Sequence, residues 1–259
     1  MKRRHSFRTL MLGMLFGLFA LAMPAAASQA DLEAEVQSIF NDYRAKAQPI
    51  QQIVARIKWS GITDARLFDA IEAEFLSRYS TDTSSAGSEY LAWLVRCLAY
   101  SGSTKYQPTM EAAQTSAATG KVKRHSEKAL QELPEFVRWN PVIAKATDAV
   151  PPADIAQQRV INMLESDEPE LMRAGASAAI ANYAHNRELT DLVRAQLLTR
   201  YRSADSNIPL ADSFAWFCKV LAASGQSEYI AALQEVRANS PQPILQKWSG
   251  VALEQLQKR

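Results

Sequence analysis

One stretch of this chain occurs twice, and the repetition restricts the possible folds more than any other feature. The first copy spans residues 92–106 and reads AWLVRCLAYSGSTKY; the second spans residues 215–229 and reads AWFCKVLAASGQSEY. The offset of 123 residues continues without a gap to Leu133 and Leu256, and 11 of the 42 aligned positions are identical. Self-similarity at a fixed offset is typical of repeat architectures, so the sequence predicts a tandem duplication of about 120 residues.

Apolar residues recur at helical spacing in both halves, and no alternating run of β-branched residues lies between turn dipeptides. The segment from Leu67 to Tyr79 also returns, at an offset of 122 residues, as Leu189 to Tyr201. Both observations predict an all-α protein. Helices are expected over residues 31–46, 50–60, 64–79, 89–101, 104–118, 121–132, 154–165, 169–183, 187–202, 209–224, 226–238 and 242–257.

Proline divides the chain. Four prolines lie within residues 134–153 and are expected to forbid a long helix there, so the preceding helix should end at Pro134. Phe136 and Trp139 are too apolar for a free linker, which favours a connector laid against the core. The predicted segments are a signal peptide (1–27), a first helical half (28–133), the connector (134–153) and a second helical half (154–259).

The first 27 residues have the pattern of a secretory signal. A basic start with Lys2, Arg3 and Arg4 precedes an apolar run from Leu10 to Met23, and small residues end at Ala27. The run is shorter than the roughly 20 residues that span a bilayer, which favours cleavage near Ala27 over an uncleaved membrane anchor. The mature protein is therefore expected to be periplasmic or secreted, with no stable membrane insertion after cleavage.

The charge balance changes when the signal is removed. The whole chain has 29 Lys and Arg against 27 Asp and Glu, and residues 1–27 hold four of the basic residues and none of the acidic ones. The mature chain therefore has a net charge of −2. Such a chain has no excess of positive charge to neutralise phosphates, which argues against nucleic acid as its partner.

The only two cysteines are Cys97 and Cys218. An exported protein can form a disulfide, but in the duplicated alignment Cys97 stands opposite Val220 and Cys218 opposite Val95. Each cysteine thus replaces an ordinary core residue in a different half of the chain. Two buried free thiols are expected.

Residues 167–180, which read DEPELMRAGASAAI, resemble the first helix of a HEAT-like repeat, and residues 120–130 and 241–253 resemble it more weakly. The resemblance covers about residues 60–257. It implies an α-α superhelix of stacked helix pairs, with a concave face formed by the second helix of each pair. It implies an architecture and no particular activity.

No catalytic motif is present: the chain has no phosphate loop, no Gly-x-Ser-x-Gly elbow and no His-Glu-x-x-His helix. His125 and His185 are expected at helix ends in solvated or capping roles. The acidic residues Asp167, Glu168 and Glu170 are expected to complement a helix dipole and not to perform acid–base chemistry. The sequence predicts a protein that is not an enzyme and has no cofactor and no metal.

Five residues are candidates for binding a partner. Trp93 and Trp216 are equivalent in the two copies, as are Arg78 and Arg200, and Trp139 lies in the connector; packing and helix-end roles are the alternatives for all five. The favoured function is an exported scaffold that binds a protein or peptide partner. The alternative is a protein that binds or modifies a small ligand or cell-wall fragment in a pocket near the connector, with Arg138 and Asn140 beside Trp139.

Overall fold

The computed structural model describes residues 29–145 and 154–258, with side chains from Asp31 onward. Within these ranges the chain is all-helical and contains no strand, which confirms the predicted class. Residues 1–27, which carry the predicted signal, and residues 146–153 of the predicted connector lie outside the described residues. The helices are α1 (Gln29–Ala45), α2 (Ile50–Lys58), α3 (Ala65–Leu76), α4 (Ser85–Tyr100), α5 (Gln107–Ser116), α6 (Gly120–Ile143), α7 (Ile155–Glu165), α8 (Pro169–Asn182), α9 (Arg187–Arg200), α10 (Ile208–Ser224), α11 (Ile230–Asn239) and α12 (Pro243–Gln257).

The even-numbered helices form one layer and the odd-numbered helices another. In the first half α4 packs between α2 and α6, and in the second half α10 packs between α8 and α12. Each odd-numbered helix packs against the even-numbered helix that follows it in the chain. Helices α2, α4 and α6 thus pack against one another in chain order, as do α8, α10 and α12.

The repeated Ser-Gly pair ends α4 and α10 in the same way. Gly102 and Gly225 have φ values of 63° and 72°, in the left-handed region that favours glycine. The hydroxyls of Ser101 and Ser224 each donate to the carbonyl three positions earlier, at 2.6 Å. Each also accepts the backbone N–H two positions later. The two Ser-Gly pairs thus share one local geometry.

Helix α6 continues through Pro134 and Pro141 to Ile143, so the prediction that Pro134 ends this helix is wrong. Both prolines are exposed and lie two turns apart on one side of the helix, where water can bond the carbonyls that they leave without a partner. Burial continues across both prolines without a change of phase. The buried positions are Val122, Ser126, Ala129, Leu133, Phe136, Trp139, Asn140 and Ile143.

The last turns of α6 cross the ends of α2 and α4. The side-chain amide of Asn140 donates to the carbonyl of Tyr100 at 2.9 Å. Gly61 and Gly102, which end the turns after α2 and α4, have positive φ and leave room for this approach. A Cβ at Gly102 would lie 2.7 Å from the carbonyl oxygen of Phe136. With 24 residues, α6 is about 36 Å long, long enough to carry the chain from α5 to the start of the second half.

The two halves meet at their beginnings. Arg159 on α7 donates to both carboxylate oxygens of Glu35 on α1, at 2.8 and 2.6 Å. Trp59, the residue after α2, lines one cavity with Ala174 and Ser177 of α8. In a simple array a helix contacts only its neighbours in the chain, so α1 and α7 would lie apart. The ion pair between Glu35 and Arg159 therefore joins two helices that are distant in the sequence.

Both cysteines are confirmed as buried free thiols, Cys97 on α4 and Cys218 on α10. Burial raises the pKa of the Cys97 thiol well above its ordinary value and raises that of Cys218 to about 12. The thiol forms therefore predominate at neutral pH, and both side chains serve the core as small apolar groups.

Candidate binding surface

All five tryptophans of the chain belong to the even-numbered layer. Four of them are half-buried, and Trp139 is only 4% exposed. Tryptophan that is partly exposed on one side of a protein is a common feature of binding surfaces, because its large ring gains contact area on association. The five are Trp59 after α2, Trp93 on α4, Trp139 on α6, Trp216 on α10 and Trp248 on α12.

A cavity of about 280 Å³ lies where the end of α2 meets α6 and α8; we call it the junction cavity. Its aromatic wall contains Trp59 and Trp139, whose ring centroids are 5.8 Å apart, and Phe136, 5.3 Å from Trp139. Its polar wall carries a lysine and three glutamates. The lining residues are Lys58, Trp59, Glu132, Glu135, Phe136, Trp139 and Glu170.

Two further cavities adjoin the junction cavity. One of about 230 Å³ shares Trp139 and Glu170 with it and extends between α6 and the start of α10. The other, of about 360 Å³, shares Trp59 and Glu170 with it and runs along α8 to Trp216. The floor of this second cavity consists of small residues of α8, including Ala174 and Ala178. Together the three cavities form a groove at the junction of the two halves, which we call the junction groove.

Most charged groups in and beside the junction groove are paired within the chain. Arg96 donates to both oxygens of Glu132, and the arginines of the groove contact carboxylates on α8 and α10. These pairs leave the groove polar at its rim without a large net charge. The ion pairs are Arg96–Glu132 at 2.7 Å, Arg138–Glu168 at 3.6 Å, Arg173–Glu170 at 2.5 Å and Arg173–Asp212 at 3.5 Å.

Lys58 and Glu135 differ from the other charged residues of the junction cavity, because neither makes an ion pair or side-chain hydrogen bond within residues 31–145 and 154–258. The Lys58 ammonium lies 4.5 Å from the centre of the Trp59 ring. Burial lowers the pKa of Lys58, while burial and the negative charge of Glu132 raise the pKa of Glu135. Burial is the largest cause of both pKa shifts, so the charged form of each side chain is disfavoured in this cavity.

The structure brings two of the five candidate residues, Trp139 and Trp216, into the junction groove. The indole N–H of Trp139 donates to Glu168 at 3.2 Å. The Lys219 ammonium lies between two rings, 4.0 Å from the centre of Trp216 and 4.2 Å from that of Trp248. The ammonium of Lys219 therefore occupies one face of each of these two indole rings within the chain.

Trp93 has different surroundings, although it occupies the same helical position as Trp216. Its indole N–H donates to Glu89 at 2.8 Å, and Glu89 also pairs with Lys121 at the start of α6. Trp93 does not line the junction groove. Of these two tryptophans, only Trp216 thus lines the junction groove.

Arg78 and Arg200 lie outside the junction groove. Arg78 pairs with Asp82 in the loop after α3, at 2.6 Å. Arg200 pairs with Asp167 at 2.7 Å and donates to the carbonyl of Ser166 at 3.1 Å, which links α9 to the loop before α8. Both arginines therefore connect helix ends to neighbouring loops.

Four residues that line the junction groove were not predicted from the sequence: Lys58, Trp59, Glu135 and Arg173. No motif marks them, because they come from separate helices that meet only through the contact between the two halves. Glu135 could have been found if the helical spacing of residues 120–133 had been extended past Pro134, since it then falls one turn before Trp139.

No group of three or more His, Cys, Asp or Glu residues in the described ranges could hold a metal ion. In the same ranges no helix is both long and apolar enough to cross a membrane. Comparison of the chain with protein-family models, with curated proteins and with solved structures finds no match.

Proposed function

We propose that this protein is an exported, non-enzymatic binding protein that holds a polypeptide segment of a partner in the cell envelope. The observation that carries the proposal is the junction groove, a continuous set of cavities in which Trp59, Trp139 and Trp216 are brought together from both halves. Aromatic anchors inside a polar rim are the usual composition of a protein-binding surface.

The shape of the groove favours an extended segment. Along α8 the floor is made of Ala174, Ser177 and Ala178, which are short enough for a polypeptide backbone to approach the helix closely. Trp59 and Trp216 stand at the two sides of this floor and offer ring faces to apolar side chains. The rim arginines and glutamates are already oriented by pairing with one another, so less side-chain entropy is lost when a partner binds.

The proposed architecture is a tandem duplication of HEAT-like helix pairs. The identical Ser-Gly turns and the matching packing of α4 and α10 support it. The ion pair between Glu35 and Arg159 adds a contact that a simple array lacks, and this contact is what places α8 beside the end of α2. In this proposal the groove is a product of the way the two copies are joined.

Export is part of the proposal and rests on the first 27 residues. We propose that the signal is removed near Ala27 and that the mature chain works in the periplasm or outside the cell. N-terminal sequencing of the native protein tests this step. A start at Ser28 agrees with it, whereas an intact Met1 in the membrane fraction contradicts it.

Site-specific photo-crosslinking tests the binding function. A benzoylphenylalanine at Ser177, in the floor of the groove, is expected to crosslink one envelope protein in living cells. The same group at Thr115, exposed on α5 in the other layer, is the matched position and is expected to give no such product. Equal products from both positions, or none from Ser177, would contradict the proposal.

A pair of equivalent tryptophans provides the second control. Trp216→Ala is expected to abolish the Ser177 crosslink, because it removes one wall of the groove. Trp93→Ala changes the same residue type at the equivalent helical position outside the groove and is expected to leave the crosslink in place. Loss of the crosslink in both variants, with both still folded by circular dichroism, would contradict a role that is specific to the groove.

A further inference from the structure

We propose that the junction cavity binds a small zwitterion of dipeptide size, with its free amino group at Glu135 and its free carboxylate at Lys58. This inference goes beyond the proposed function, because it assigns a small-molecule site with its own chemistry inside the groove. The ligand would bind whether or not a polypeptide partner occupies the rest of the groove.

The two charged groups carry the argument. Lys58 and Glu135 line the same cavity and bear opposite charges. Neither makes an ion pair or a side-chain hydrogen bond with a described residue, and the Lys58 ammonium contacts only the rings of Trp59 and Tyr100. The neighbouring charges of the groove have partners within the chain, among them Glu132 with Arg96 and Glu170 with Arg173. A half-buried charge without a partner costs free energy, and charge-assisted hydrogen bonds from a ligand would recover that cost.

Other ligand classes fit less well. A neutral sugar would stack on the indole rings but leave both charges uncompensated. A phosphate would meet Glu132, Glu135 and Glu170 around the one free lysine. A simple cation would satisfy Glu135 and leave Lys58 more unfavourable than before. A ligand with one ammonium and one carboxylate compensates both groups at once.

The arrangement of the charges and the volume of the cavity indicate the size of the ligand. Lys58 and Glu135 line the same cavity without forming an ion pair, so a ligand that contacts both is expected to carry its two charges at separate ends. The two charges of a single amino acid share one carbon atom, whereas the ends of a dipeptide are about 7 Å apart. The cavity of about 280 Å³ accommodates a molecule of this size. Trp59, Trp139 and Phe136 would contact its apolar middle.

Isothermal titration calorimetry of the mature protein tests the proposal. The probes are the twenty Ala-X dipeptides with free ends, together with the N-acetylated and the C-amidated form of each. Binding of at least one free dipeptide, weakened about tenfold or more by blocking either end, is the expected result. No binding by any free dipeptide at millimolar concentration, or equal binding of the blocked forms, would overturn the proposal.

Two isosteric variants assign the ends of the ligand. Lys58→Met is expected to weaken binding of the free dipeptide about tenfold, and C-amidation of the dipeptide should then cause no further loss of affinity. Glu135→Gln is expected to weaken binding equally, and N-acetylation should then cause no further loss. Lys123→Met and Glu127→Gln change the same residue types on α6 outside the groove and should alter neither comparison. If C-amidation still weakens binding to Lys58→Met, or N-acetylation still weakens binding to Glu135→Gln, as much as in the wild-type protein, the assignment is wrong.

The result of the dipeptide titrations can be distinguished from the result of the crosslinking test. Lys58→Met and Glu135→Gln leave Trp216 and the floor of α8 unchanged, so the Ser177 crosslink is expected to persist in both variants. Dipeptide binding without a crosslink supports the small-molecule site alone, and a crosslink without dipeptide binding supports the polypeptide groove alone.

Discussion

At the scale of single residues, the groove differs from the core by leaving charges unsatisfied. In the core, Ser126 donates to Val122 and Asn140 donates to Tyr100, although the side-chain oxygen of Asn140 has no partner in the described residues. Lys58 and Glu135 make no ion pair or side-chain hydrogen bond in the described chain, although both are partly withdrawn from water. Residues that reduce stability in this way are typical of sites that bind something else.

Replacing Glu135 by glutamine is expected to stabilise the protein at neutral pH. Burial and nearby carboxylates, chiefly Glu132, raise the pKa of Glu135 above 4.5 in the folded state. At pH values near the raised pKa the folded state therefore binds more protons than the unfolded state, and the free energy of unfolding falls as the pH rises through that range. Glu135→Gln should therefore raise the free energy of unfolding at neutral pH, by an amount that solvent screening keeps small because Glu135 is partly exposed.

Urea unfolding of both proteins between about pH 4 and pH 8 measures this difference. At pH values below the pKa of Glu135 in both the folded and the unfolded state, the glutamate is neutral throughout, so the two proteins should have nearly equal stability. Glu127→Gln, exposed on the same helix, is the control and should show no trend. A variant that is less stable than the wild-type protein at pH 7 would contradict the account of Glu135.

At the scale of helices, α6 remains helical past Pro134, because its buried positions continue at helical spacing on both sides of the proline. Apolar positions continue in phase across Pro134, and the buried ends of α2 and α4 need a surface to contact. A proline on the exposed side loses a hydrogen bond and creates no clash with the core. The chain keeps the helix because the contacts of Phe136, Trp139 and Ile143 outweigh that loss.

Pro134→Ala is therefore expected to stabilise the protein, by about 1–3 kcal/mol. Alanine restores the backbone bond to the carbonyl of Leu130 and has the highest helix propensity. Pro108→Ala is the matched control, because Pro108 lies in the first turn of α5, where proline is favoured. Thermal unfolding measures both; a lower midpoint for Pro134→Ala would show that the proline is required for the course of α6.

The helices could largely be predicted from the sequence, and their ends less well. In the second half, starts with a polar cap, such as Asn186 for α9 and Asn207 for α10, fall where expected. Helix α4 begins at Ser85 and not near residue 89, because Ser84 caps it by accepting the N–H of Gly87 at 3.0 Å. That polar stretch is typical of a loop unless the cap is recognised.

At the scale of the whole molecule, the contact between the halves creates the site. Trp216 was among the predicted binding residues because it recurs, yet its role depends on Trp59, which does not recur and was not predicted. No local pattern in α1 or α7 indicates that Glu35 and Arg159 meet, since the partners are 124 residues apart. Long-range pairing of this kind is decided by the fit of assembled surfaces and leaves no periodic signal in the sequence.

Breaking the pair between Glu35 and Arg159 is expected to weaken the junction. The Arg159 side chain is 8% exposed, so Glu35→Gln leaves a buried cation without its carboxylate and should cost about 2 kcal/mol. The double variant Glu35→Gln with Arg159→Met removes that charge and should recover part of the loss. A double-mutant cycle by urea unfolding measures the coupling; additive effects would contradict a direct contact between α1 and α7.

The central claim is that the groove between the two halves is where this protein binds its partner. Fluorine NMR of mature protein labelled with 5-fluorotryptophan gives one resonance for each of the five tryptophans, and Trp→Phe variants assign them. On addition of periplasmic extract, the resonances of Trp59, Trp139 and Trp216 are predicted to shift or broaden while that of Trp93 stays in place. A response of Trp93 alone, or an equal response of all five, would contradict the claim.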